Sequence, residues 1–164
     1  MTLDETRYEY VGFWARVLAS LVDTVLVCLL IWPLLTMIYG SEYWTEYFAP
    51  LTSILGGSLD TVASAPSRGA ADVIVSYVLP AIAIIVFWIA RQATPGKMLI
   101  GAKIVDAGTG GPLTRRQAIG RYLGYYVSLF GMGLGFLWVG WDRRKQGWHD
   151  KLAGTVVVRG RRGK

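Results

Sequence analysis

The chain has 164 residues, of which 53% are apolar and only 17% charged, and its mean hydropathy is +0.39. A water-soluble domain of this length needs a charged coat because much of its surface meets solvent, so the composition excludes an ordinary soluble globule and requires lipid as part of the solvent. The net charge of +6 implies no nucleic acid partner, because the basic residues lie between apolar runs without forming one stripe; they fit positions facing the anionic headgroups of a lipid bilayer.

In chain order, residues 1–10 mix Asp4, Glu5 and Glu9 with Arg7. The apolar run over 11–39 is too long and too charged for a cleavable signal segment and is expected to stay as the first membrane span. Cys28, the only cysteine, excludes an internal disulfide and a cysteine metal cluster, and reads as a small buried hydrophobe. Residues 40–72 carry Glu42, Glu46, Asp60 and Asp72 against Arg68. They predict an irregular or partly helical external loop whose aromatic middle, 43–55, lies along the membrane surface. A helix needs about 20 residues to cross a hydrocarbon core of roughly 30 Å, and 73–90 just suffices as a second span.

From 91 to 117 the character changes, with Arg91, Lys97, Lys103, Arg115 and Arg116 against Asp106 alone. Positive charge marks the cytoplasmic side, which puts this loop and the N-terminus inside and the acidic loop outside. Residues 98–106 are rich in strand formers and 107–112 in turn residues; 155–159 is a second strand-like run. Isolated strands leave backbone groups unsatisfied, so the two are expected to pair as a small cytoplasmic β element. Arg143, Arg144, Lys145, Lys151, Arg159, Arg161, Arg162 and Lys164 also place the terminal strand and tail, 155–164, inside.

Three full spans would put that tail outside. The third apolar stretch, 122–141, has Gly131, Gly133 and Gly135 at its centre, a spacing that permits a tight reversal. The expected fold is therefore a mostly α membrane protein. It has two full transmembrane helices, a re-entrant or short helical hairpin within 118–154, and the small β element. The alternative for 122–141 is one continuous span whose glycines serve close helix packing.

Arg16 and Asp23 are seven residues apart in the first span and share a helical face about two turns apart. Arg16 can snorkel to the interface, but Asp23 sits deeper, where a charge faces a partner or a wet cavity. Arg16, Arg91, Arg121 or a base on the returning arm are the candidate partners. The residues could form a packing ion pair or a proton- or cation-binding site reached from the cytoplasm. His149 beside Asp150 reads as a hydrogen-bonded structural residue, and a single histidine without other donors gives no metal site. Trp141 and Trp148 fit interfacial anchors, and Gly154 a helix stop. Thr94, Pro95, Gly96 and Lys97 fail the Walker pattern, because Arg91 and Met98 stand where it needs a glycine and a Ser or Thr. They read instead as a turn ending the second span, with Lys97 at the headgroups. No nucleophile, base and metal set can be assembled, so neither an enzyme nor a bound cofactor is expected.

Gly12, Phe13, Trp14, Ala15 and Arg16 with Asp23, then the segment 93–97, then Gly147, Trp148, His149, Asp150 and the residues to Thr155, in this order and spacing, resemble the RDD family. That family is named for one arginine and two aspartates, matched here by Arg16, Asp23 and Asp150. The resemblance covers 11–158 and implies a multi-spanning membrane protein; transport is suggested for the family by architecture, including sodium–proton exchange for some members. The leading expectation is a small transporter or channel-like subunit of the cell (inner) membrane with Arg16, Asp23 and Asp150 as a polar site and Arg121, His149 and Lys97 around it. Two spans and a hairpin cannot enclose a path alone, so transport requires a homo-oligomer or a partner membrane protein. The alternative is a scaffold or assembly factor docking a partner through its strands and basic tail.

Overall fold

A computed structural model describes residues 8–57 and 73–160. The expectations for Asp60, Arg68, Asp72 and the last four residues lie outside the described residues. The elements are β1 (Tyr8–Tyr10), α1 (Phe13–Tyr39), α2 (Glu42–Leu55), a π-helical stretch Ile74–Val78 running into α3 (Leu79–Arg91), α4 (Pro95–Leu99), β2 (Ala102–Asp106), α5 (Arg115–Phe130), α6 (Leu134–Leu137), a 3-10 turn Trp138–Gly140, α7 (Trp148–Ala153) and β3 (Thr155–Gly160). Two helices, Phe13–Tyr39 and the one beginning at Ile74, are long and apolar enough to cross a membrane. Much of their surface lies outside the protein core: Leu30 is 74% and Met37 87% exposed, apolar surface that lipid covers favourably. Cys28 is likewise exposed, which corrects its reading as buried; a span faces acyl chains wherever no protein packs on it.

The chain divides into two compact units, one of 25–80 and one combining the first 24 residues with 81–164. In the first, the expected partly helical loop contains α2. Trp44 stacks on Trp32 at 4.1 Å and donates from Nε1 to Thr36 Oγ1 at 2.7 Å, fixing α2 against the end of α1.

The second unit carries the β element. The strands pair antiparallel in the order β1-β3-β2, with Ile104 opposite Val157 and Tyr10 opposite Val158. Pairing of β2 with β3 is as expected; β1 adds a third strand that three residues, Tyr8, Glu9 and Tyr10, signal too briefly. β2 also starts later than position 98. Thr94 is extended and Pro95 opens a short helix, as proline favours at the first helical position, and Gly101 (φ +67) then turns the chain into the strand. Val11, Trp88, Ile104, Ala118 and Val157 form the buried core. Asp106 accepts from the Thr109 and Gly108 amides and pairs with Gln117, so the loop after β2 is pinned to the start of α5. These bonds hold the Asp106 carboxyl down at about 2, with the Thr109 amide contributing most. At that start Thr114 and Gln117 make a reciprocal capping box.

Helix α5 and the following Leu134–Gly140 segment meet at a bend of 113°, so the third apolar stretch is not one straight helix; it is a broken span or a re-entrant loop. Gly133 makes the turn at φ +78. Gly135 closes it, since a Cβ there would lie 2.6 Å from Ser128 Cα. Gly124 meets the backbone of α7 in the same way, with His149 Cα 2.8 Å from where its Cβ would stand. These glycines serve packing inside the chain.

Candidate functional site

Asp150 is completely buried and is the hub of the charged residues. Arg16, in the first turn of α1, donates from NH1 to Asp150 Oδ2 at 2.5 Å. Arg121 on α5 pairs with Asp150 Oδ1, and the Gly147 amide donates to Oδ2 at 3.0 Å. Each arginine is itself held: Arg16 also donates to Val11 O and Lys145 O, and Arg121 to Thr155 Oγ1 at 2.7 Å. Lys145 has a left-handed backbone (φ 51) that aims its carbonyl at Arg16. Burial opposes ionisation of Asp150, but the guanidiniums of Arg121 and Arg16 outweigh it and hold the carboxyl well below the usual carboxylate range. The hub ties α1, α5, α7 and β3 together. Both carboxylate oxygens are occupied.

His149 is buried between Tyr125 at 4.4 Å and Phe136 at 5.2 Å, with Nδ1 3.2 Å from Ser128 Oγ. Burial pulls its pKa down to about 3, Asp150 pulling the other way and Arg121, Arg16 and Lys97 reinforcing the drop. The imidazole is therefore neutral at physiological pH. Among the described residues no group of three or more His, Cys, Asp or Glu could hold a metal ion.

Asp23 stands apart from this hub. The expectation that it pairs with Arg16, Arg91, Arg121 or another base is corrected: among the described residues no ion pair reaches it, and its partners are the Thr94 hydroxyl, donating to Oδ2 at 2.5 Å, and the Gly96 amide, donating to Oδ1 at 2.6 Å. The reason is length. Seven residues along α1 separate Asp23 from Arg16 by about 10 Å, and Arg16 points back toward Val11 O. Gly96 permits the approach: a Cβ there would lie 2.0 Å from Ala19 O and 3.0 Å from Asp23 Cγ. Lys97, expected at the headgroups, is instead buried at 6% exposure and donates from Nζ to Thr94 Oγ1 at 3.3 Å. Asp23, Thr94 and Lys97 thus form a chain with one hydroxyl between carboxylate and ammonium.

Thr94, the Gly96 amide, Lys145 O, the Gly147 amide and Thr155 went unread in the sequence. Backbone donors and acceptors carry no residue signature, and the two threonines stand out only as members of the 93–97 and 147–155 segments.

Among known proteins, the model of the RDD family matches residues 10–154. A protein of Rickettsia prowazekii (strain Madrid E), described as uncharacterized protein RP437, is 37% identical over 75 residues, covering 46% of this chain and 41% of that protein. The match therefore spans well under half of that relative. No solved structure matches.

Proposed function

Because the chain belongs to the RDD family, we propose that it is a membrane subunit that binds and releases a proton or a small monovalent cation at Asp23. The observation that carries this reading is the contrast between the two aspartates. Asp150 is saturated by two arginines and an amide, whereas Asp23, in the first candidate span, has one hydroxyl and one amide as partners. A carboxylate within a span marks an ion or proton path by default. On protonation its carboxyl becomes a donor, and the Thr94 hydroxyl can rotate to accept, so a hydrogen bond survives in both states. The Lys97 ammonium on the far side of Thr94 supplies compensating charge to the ionised form.

In this reading Arg16, Arg121 and Asp150 lock the fold and Asp23 does the exchanging. The positive-inside rule puts both ends of the chain and the β element in the cytoplasm, with the spans in the cell (inner) membrane. The path is completed by further copies of the chain or by a partner membrane protein, and the protein is not an enzyme. A non-transporting scaffold, docking a partner through its strands and basic tail, draws its support from the saturation of Asp150.

The test is purified protein in liposomes loaded with a pH dye, under imposed sodium, potassium and proton gradients. Wild type is expected to give an ion-driven pH change that Asp23→Asn abolishes while keeping its unfolding midpoint within a few degrees. Equal flux in the variant, or no flux from folded wild type alone and with any membrane partner recovered by cross-linking, overturns the assignment; a recovered partner whose co-reconstitution gives no flux supports the scaffold.

A further inference from the structure

Where α3 ends, the chain encloses an open groove of ≈ 530 Å³. Its construction follows from two backbone turns. Gln92 adopts a left-handed conformation (φ 57), which is uncommon for a residue with a Cβ. Its carbonyl thereby accepts from the Ile104 amide at 2.6 Å, tying the end of α3 to the outer edge of β2. Gly101 (φ +67) then brings the chain from α4 back into the strand. Arg91, Gln92 and Lys103 line the groove together with Ile89, Met98 and Pro112.

Among the described residues the groove is lined by two cations and no acidic side chain. The side chains of Arg91 and Lys103 form no hydrogen bond or ion pair among the described residues. Arg159, Lys151 and Arg144 are satisfied by Glu9, Asp142 and Ala107 O, and the exposed Arg115, Arg116 and Arg143 lie outside the groove. A pair of unneutralised cations in one concavity is complementary to an anion. The apolar part narrows the choice. Ile89 is 37% and Met98 47% exposed, and Arg91 ends α3 within the candidate span Ile74–Leu99; basic residues at span ends favour headgroup level, which would turn the apolar wall toward the acyl chains. A soluble phosphate would neutralise the cations and leave that wall bare.

We propose that this groove is a binding site for an anionic phospholipid, with the headgroup phosphate between Arg91 and Lys103 and the start of an acyl chain along Ile89 and Met98. It is independent of any role for Asp23. A lipid held there would brace α3 against β2 beside the 93–97 segment that carries Thr94 and Gly96.

The test uses the full-length protein, with binding of phosphatidylglycerol, phosphatidylcholine and free glycerol phosphate measured by native mass spectrometry from detergent. Phosphatidylglycerol is expected to bind wild type in preference to the other two. At about fivefold per basic residue, Arg91→Gln with Lys103→Gln should weaken it roughly 20- to 30-fold. The control, Arg115→Gln with Arg116→Gln, removes the same charge from the exposed start of α5 and should leave affinity within about twofold. An equal loss in the control reduces the effect to surface charge, and free glycerol phosphate binding as tightly as the lipid makes the ligand a soluble phosphate; either overturns the proposal. A photoactivatable phosphatidylglycerol on unmutated protein gives a reading that does not depend on the variants folding: labelling within 89–103 supports the site, and labelling elsewhere with none there sinks it.

Discussion

Asp150→Asn is expected to cost about 3–5 kcal/mol of folding free energy, the usual cost of removing one partner from a buried ion pair. Two guanidiniums would remain facing a neutral amide, one of them, Arg121, only 1% exposed and packed over the rings of Trp88 and Tyr125 at 5.3 and 5.8 Å. Arg121 cannot release its proton or reach water without opening the contacts between α5 and α7, whereas Arg16, with its side chain 11% exposed, is only partly buried. Together with Asp106, the same residue contributes to the acid limb of stability. Its folded pKa lies below the unfolded value of about 3.9, so its contribution is fully present above about pH 4 and is lost as pH falls through the folded value. Unfolding midpoints in detergent across pH 2 to 7 should show wild type losing an increment at the acid end that Asp150→Asn lacks throughout. A variant as stable as wild type at neutral pH would mean that the hub does not hold the fold.

Gly96→Ala is the second large effect. Its methyl would lie 2.0 Å from Ala19 O and 2.9 Å from Ala19 C, against backbone that no rotamer change can move, so α4 must withdraw from α1. Overpacking of this kind costs about 3 kcal/mol, and the withdrawal also breaks the Gly96 bond to Asp23. Gly120→Ala is the matched control: nothing lies within 4 Å of that Cβ, and the better helix former should leave stability unchanged or raise it by up to about 1 kcal/mol. Thermal unfolding of the three proteins in one detergent checks both.

Hydropathy and length made α1 and the helix from Ile74 legible, because a span must be apolar along its whole length whatever its neighbours are. The break in the third apolar stretch was legible from the spacing of Gly131, Gly133 and Gly135. The meeting of Arg16 with Asp150, 134 residues apart, has no periodicity to announce it; only the resemblance of the flanking segments to one family brought the two together. The partners of Asp23 were misjudged because charge was weighed against charge, while a backbone amide and a hydroxyl fill the same need. Lys97 was misplaced for a related reason: a lysine at the end of a span reads as interfacial until Gly96 lets its helix pack directly on α1.

The account rests on Asp23 changing its state while Asp150 does not. Infrared difference spectroscopy on protein carrying isotopically labelled aspartate, reconstituted in lipid and subjected to a proton or sodium jump, reads this directly. The predicted result is one carboxyl band that responds to the jump and disappears in Asp23→Asn. A band that persists in that variant, or the absence of any responding aspartate in the wild type, would contradict it.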